Sequence, residues 1–142
     1  YNQRWFLFGY DEANSRIDNS PIDRILSFIP LCKPFVENTL FIPEEYFKDM
    51  VGVTRKEGQV PDNVMLKVNP TRADYLITKP LHHSQKVISK SEKEVLFSLD
   101  VIVNKELISL LLSFGSDLTI IQPDILRVAI KNEYDSSLAK YQ

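Results

Sequence analysis

The hydrophobic positions after residue 63 keep regular periods. Val64, Leu66 and Val68 alternate with Met65 and Lys67, which predicts a strand ending at Asn69-Pro70. Thr71 to Thr78 reads as a helix that closes before Pro80. Val95, Phe97, Leu99, Val101 and Val103 alternate along one long strand, with Ser98 and Asp100 facing the other way. Asn104 suits the N-cap of the helix that follows. Leu107, Leu110, Leu111 and Phe114 fall at i, i+3, i+4 and i+7, a single apolar stripe, and Gly115 fits its C-cap. Leu118 to Ile121 is a strand, and Pro123 suits the first turn of a last helix from about Asp124 to Tyr134 or beyond. The order is strand, helix, loop, strand, helix, strand, helix. It predicts a small sheet with helices packed on one face, a ferredoxin-like α+β layout.

The first 51 residues follow a different pattern. Arg4 to Tyr10, RWFLFGY, reads as a strand buried on both faces, and Asp11 to Ser15 as a polar turn. A second extended piece starts at Arg16-Ile17 and is interrupted by Pro21. Ile22 to Phe28 reads as a further strand, Ile29 to Pro43 as a proline-rich connection, and Glu44 to Val51 as a short helix. Short strands with tight turns suggest part of a small β-barrel. The expected organisation is a partial barrel with its linker helix over 1–52, a linker over 53–63, and the ferredoxin-like region over 64–142. A barrel piece this short leaves an open edge, and the strand begins almost at Tyr1. The chain is therefore expected to be cut from a longer one.

Composition narrows the function classes. Of 142 residues, 44% are hydrophobic and 25% charged, as in folded domains. Lys and Arg number 17 against 19 Asp and Glu, which argues against a whole-surface nucleic-acid binder. Residues 79–93 are locally basic, with Lys79, Lys86, Lys90 and Lys93 against Glu92 alone, and read as a solvated loop. No apolar run is long enough to span a bilayer, and no leader pattern opens the sequence. The single cysteine, Cys32, excludes an internal disulfide, and a reducing, cytoplasmic setting is expected.

No catalytic constellation can be assembled. Nucleophile-elbow, HExxH, phosphate-loop and dinucleotide motifs are missing from the sequence, and Gly9, Gly52, Gly58 and Gly115 are ungrouped. Cys32 would need a base such as His82 or His83, and inert packing is the stronger reading for it. His82 and His83 are adjacent, so on a strand their rings would point to opposite faces, poor geometry for one metal. No enzyme activity, metal or cofactor is expected. The one binding signal is arginine beside aromatics. Arg4 precedes Trp5 and Phe6, Tyr1 and Tyr10 flank that strand, and Arg16 and Arg24 lie on neighbouring segments. Bases stack on such rings while arginines take phosphates. The competing reading has the aromatics filling a small barrel and Asp23 pairing with Arg24 on the surface. On the residues alone it is the stronger one.

RWFLFGYDE at 4–12, followed by PIDRI at 21–25, resembles the Trp-Tyr-Leu (WYL) domain of bacterial transcriptional regulators. VMLKVNP at 64–70, KPLHHSQKVI at 79–88 and ELISLLLSFGSDLTIIQPDIL at 106–126 are similar, in the same order, to that family's C-terminal extension. The resemblance implies an Sm-like or SH3-like barrel, then a ferredoxin-like extension that mediates dimerisation. It also implies a nucleic-acid-type ligand, single-stranded DNA in some members, whose binding is passed on to promoter DNA through a helix-turn-helix domain not in this chain.

Carried over by position, the resemblance makes Arg4, Trp5, Phe6, Tyr10, Arg16 and Arg24 the expected ligand or nucleic-acid contacts. Phe6 stands where tyrosine is usual and lacks its hydroxyl. Asp18 stands where an arginine is common, and Arg16, two residues earlier on the same strand face, is the substitute. A carboxylate at Asp18 opposes phosphate. The expected partners are a second copy of the chain, a single-stranded nucleic acid or nucleotide, and no membrane. Self-association is expected through 64–142, with Met65, Leu96 and Ile102 on the open sheet face. The alternative is an oligomerisation scaffold that binds no ligand.

Overall fold

A computed structural model of the chain describes residues 1–34, 37–39 and 42–142. The chain divides into two compact units, Tyr1–Lys48 and Asp49–Gln142. The fold is mixed α+β, with two antiparallel sheets and four helices among the described residues.

In the first unit β1 (Phe6–Asp11) and β2 (Arg16–Pro21) form an antiparallel hairpin, in register from Phe6 opposite Pro21 to Asp11 opposite Arg16. Alternation sends Phe6, Phe8 and Tyr10 to one face and Leu7 and Asp11 to the other. Phe8 meets Phe47 and Tyr46 edge-on, at centroid distances of 5.0 and 6.1 Å. Those two residues sit on α1 (Pro43–Phe47), which starts on its proline. This helix is shorter than the expected 44–51, because Met50 and Val51 are buried in the second unit.

The strand expected over 22–28 is not formed. Pro21 has no N–H to carry the ladder on, and Ile22–Arg24 make a 3₁₀ turn instead. Leu26 and Phe28 beyond it are exposed. Two strands cannot close, so the described residues of this unit are a hairpin with a turn and a helix, not a closed barrel. Of the connection expected over 29–43, residues 35, 36, 40 and 41 lie outside the described residues.

The second unit runs β3 (Asp62–Val68), α2 (Pro70–Thr78), β4 (Lys86–Lys90), β5 (Val95–Val101), α3 (Lys105–Leu112), β6 (Leu118–Gln122) and α4 (Asp124–Leu138). The sheet order is β4-β5-β3-β6, with every neighbouring pair antiparallel. Val64, Leu66, Val95, Phe97 and Leu99 are buried on one face, against Leu76 of α2, Leu107 and Leu111 of α3 and Leu126 of α4. The leucine stripe of α3 is thus covered within the unit. Asn69 caps α2, its side-chain oxygen accepting from the Arg72 N–H at 2.8 Å.

Three expectations need correction here. β4 lies in the stretch read as a loop; it is an edge strand with every residue exposed, so its side chains carry no alternation. α3 ends at Leu112, and Gly115, at φ +57°, opens a 3₁₀ turn beyond the cap rather than forming it. Ile102 is fully buried instead of lying on the open face; it follows the end of β5, and its N–H donates to the Asp49 carbonyl at 2.7 Å.

That bond belongs to a strap, residues 49–59, laid across the corner between β5 and α3. The Asn104 amide donates to the Val51 and Thr54 carbonyls at 2.9 and 3.0 Å. The Glu106 carboxylate accepts from the Thr54 hydroxyl and the Val53 N–H. Gln59 donates to the Val103 carbonyl at 3.2 Å. Gly52 passes over Glu106 at φ +89°, where an added Cβ would stand 2.6 Å from the Glu106 Cγ and 2.7 Å from its Cβ. Those atoms are the root of the side chain and cannot swing away. Gly52→Ala is expected to cost about 2–4 kcal/mol, the left-handed penalty plus overpacking. Gly58→Ala, also at positive φ but in open space, is expected to cost only about 1 kcal/mol. Urea denaturation of the two variants compares them directly; equal losses would mean that the Glu106 contact contributes nothing.

Candidate functional site

The candidate site lies in the first unit, on the hairpin and the turns at its base. The tip is fixed by Asp11, whose carboxylate accepts from the Ala13 and Asn14 N–H groups at 3.0 and 3.3 Å and from the Asn14 side-chain amide at 2.6 Å. This lets the exposed Ser15 hold a φ of +52° before β2 begins. At the base, the Ile22 N–H donates to the Trp5 carbonyl at 3.0 Å. Residues 2 and 3, at φ +46° and +61°, turn the chain tightly ahead of Arg4.

These turns enclose an open concavity of about 520 Å³ lined by Asn2, Gln3, Arg4, Trp5, Ile22 and Asp23. Trp5 is 80% exposed, so its indole fills no core among the described residues. Arg4 pairs with Asp23 at 3.2 Å. That overturns the expected Asp23–Arg24 surface pair: the 3₁₀ turn over 22–24 places Asp23 against Arg4, across the hairpin base.

The six expected contact residues are therefore not gathered on one surface. Arg4 and Trp5 share the concavity. Phe6 and Tyr10 lie on the hairpin face that carries Phe8. Arg16 lies on the opposite face, paired with Asp18 at 3.5 Å, both on β2. Arg24 is exposed at the end of the 3₁₀ turn. The strand period foretells the Arg16–Asp18 neighbourhood. Nothing local in the sequence foretells the joining of Asn2, Gln3 and Ile22 to the site, which depends on the turn at Pro21.

The remaining chemical candidates are dispersed. Cys32 is exposed, with no core around it among the described residues. His82 and His83 lie in the turn ahead of β4, not on a strand, and their rings sit 4.1 Å apart instead of facing opposite ways. His82 Nδ1 lies 2.7 Å from the Ser84 hydroxyl, which in turn bonds the Asp100 backbone. Gln85 accepts from the Leu81 N–H and donates to the Leu76 carbonyl. These bonds hold the turn against α2 and β5, a structural role. Among the described residues no group of three or more His, Cys, Asp or Glu is arranged to hold a metal ion, and no helix is long and apolar enough to cross a membrane.

Residues 61–136 match the family model of the WCX domain, and the chain belongs to that family. WCX is the C-terminal extension found with WYL domains, so the chain is a component of the WYL class of transcription regulators, which is not a class of enzymes. No curated protein matches the chain.

The Asp11 carboxyl is held below the usual carboxylate range, chiefly by the Asn14 side-chain amide. The Asn14 and Ala13 N–H groups and the Arg16 charge act in the same direction, against desolvation. A depressed folded-state value means the turn is supported above the ordinary carboxylate range and loses that support as pH falls through the folded value. Following the Asp11 carboxyl resonance against pH should show a midpoint below that of an unstructured aspartate, raised by Asn14→Ala. An unchanged midpoint in that variant would remove the assignment.

Proposed function

We propose that this chain is the effector-sensing and subunit-assembly region of a bacterial, cytoplasmic WYL-type transcription regulator. In this reading the first unit is part of an Sm-like barrel that takes a single-stranded nucleic acid or nucleotide. The second unit is a ferredoxin-like dimerisation module, and promoter DNA is read by a helix-turn-helix domain outside this chain. The observation that carries the reading is the family match, supported by the βαββαβ order with strand sequence β4-β5-β3-β6. The sensing half is supported by an exposed Trp5 beside Arg4 at the mouth of a concavity, the pairing of ring and cation that single strands use.

A second reading, a scaffold without ligand, is favoured by one feature: Asp23 and Asp18 already neutralise Arg4 and Arg16. Both ion pairs are exposed, and such pairs contribute only about 0–1 kcal/mol each, so a phosphate can displace them. Titrating a labelled single-stranded oligonucleotide decides between the readings. Binding is expected at low salt and should weaken as salt rises. Trp5→Ala and the double variant Arg4→Gln, Arg16→Gln should each reduce it, and Asp18→Asn should strengthen it. Absence of binding at low salt would leave the scaffold reading standing.

Assembly is assigned to the sheet face that carries no helix. Met65 and Leu96 are half-buried there, beside the polar ladder in which Asn63 bonds Ser98, Asp100 and Gln122. Light scattering should show a dimer at roughly tens of micromolar, where a standard-sized interface is populated. Leu96→Asp should return it to monomer with its circular dichroism intact. A wild-type chain that stays monomeric throughout that range would refute the assignment.

A further inference from the structure

Six arginines occur in the sequence, and one of them stands apart. Arg4, Arg16 and Arg127 each face a carboxylate, at 3.2, 3.5 and 2.8 Å. Arg55 donates to the Gln59 carbonyl, and Arg24 is exposed on its turn. Arg72, in the first turn of α2, is half-buried, and its Nε is buried with no hydrogen-bond partner. No carboxylate among the described residues pairs with it. The nearest acidic neighbours in sequence and cap are already engaged: Asp74 binds Lys90 at 3.1 Å, and the Asp117 carboxylate accepts from the Asn69 amide.

What surrounds the guanidinium is aromatic. Its central carbon lies 5.0 Å from the Phe114 ring centroid and 5.4 Å from that of Tyr75. Ring stacking engages the face of the guanidinium and leaves its N–H groups directed outward in the plane. The guanidinium charge therefore has no carboxylate among the described residues to balance it, and an anion can do so through the terminal N–H groups. A second cation stands at the same ring: the Lys79 ammonium lies 5.9 Å from the Tyr75 centroid. Tyr75 itself is 46% exposed, and of the Arg72 nitrogens only Nε is buried without a partner, so a ligand on this edge meets the terminal Nη groups.

We propose that Arg72, Tyr75 and Lys79 form a binding site for a phosphate-bearing ligand, separate from the hairpin site and independent of the reading given to it. The two terminal Nη groups of Arg72 donate two in-plane bonds to one phosphate, a geometry that lysine cannot reproduce. Lys79 supplies a second positive charge across the Tyr75 ring, which suits a ligand carrying more than one negative charge. Such a phosphate comes either from a free nucleotide or from a nucleic-acid chain.

The test uses the whole chain labelled with ¹⁵N at low salt, and reads the Arg72 Nε–H resonance. The titrants are inorganic pyrophosphate, a nucleoside diphosphate and a short single-stranded oligonucleotide. A saturable shift is expected with pyrophosphate. Tighter binding of the diphosphate or of the oligonucleotide identifies the source of the phosphate. Arg72→Gln should lose roughly tenfold or more in affinity, equivalent to about 1.4 kcal/mol. Arg72→Lys, which keeps the charge and the fold but not the fork, should also weaken binding, and so should the surface variant Lys79→Gln. Arg127→Gln, on an arginine already paired, should leave it unchanged. No saturable shift with any titrant, or wild-type affinity in both Arg72→Lys and Lys79→Gln, would overturn the proposal.

Discussion

The second unit depends on one buried amide. Asn104 uses its side-chain oxygen to cap α3, accepting from the Leu107 N–H at 2.8 Å, and its amide nitrogen to hold the Val51 and Thr54 carbonyls. It is the one buried polar side chain in a core otherwise apolar among the described residues. The bonds to Val51 and Leu107 are buried and the bond to Thr54 is part-buried, and an unmet partner is most costly out of water. No other side chain supplies the same set. Aspartate keeps the cap but points an acceptor at two carbonyl oxygens. Serine caps but is too short to reach the strap, and alanine abandons all three groups. The corner between β5 and α3 and the path of residues 49–54 are thus set by a single residue, and Gly52 and Glu106 complete the fit around it.

This accounts for what could be read in the sequence and what could not. β3, β5 and α3 bury one face each, so their apolar residues recur at periods of 2 and 3.6, and their existence and type are legible. Asn104 is legible as a cap because capping is local. Its other two bonds span about fifty residues and leave no local signal. β4 is illegible for the opposite reason: as an exposed edge strand it buries neither face. Ile102 escapes the period of β5 because it lies past the strand's end, in a corner where the strap dictates direction. In the candidate site, Arg4 and Trp5 stand out as residue types, but their neighbours Ile22 and Asp23 arrive through a turn that only the break at Pro21 hints at.

The two units also differ in how firmly they hold side chains. The second has a continuous core between one sheet face and three helices. The first has a two-stranded sheet, a class of structure that is marginal without further packing. Its order rests on the cluster of Phe8, Tyr46 and Phe47 and on the Asp11 turn. Phe6 and Tyr10 share the face of that cluster, Phe6 half-buried and Tyr10 exposed, and neither lines the concavity. Arg4 and Trp5 lie just ahead of β1, where the chain is held by turns.

The arginines of the two units represent two ways of holding a cation ready for an anion. In the hairpin each of Arg4 and Arg16 rests on an exposed aspartate. A ligand phosphate must displace a carboxylate, and because the pair is solvated the exchange is nearly neutral in free energy and is governed by salt. Arg72 rests on aromatic faces, with its Nε shut away from water. No carboxylate has to leave before an anion meets its terminal N–H groups. The first arrangement suits weak, salt-tuned contact along a chain of phosphates. The second suits a discrete anion held at one point, and the helix that presents it is fixed by the Asn69 cap and by Leu76 in the core.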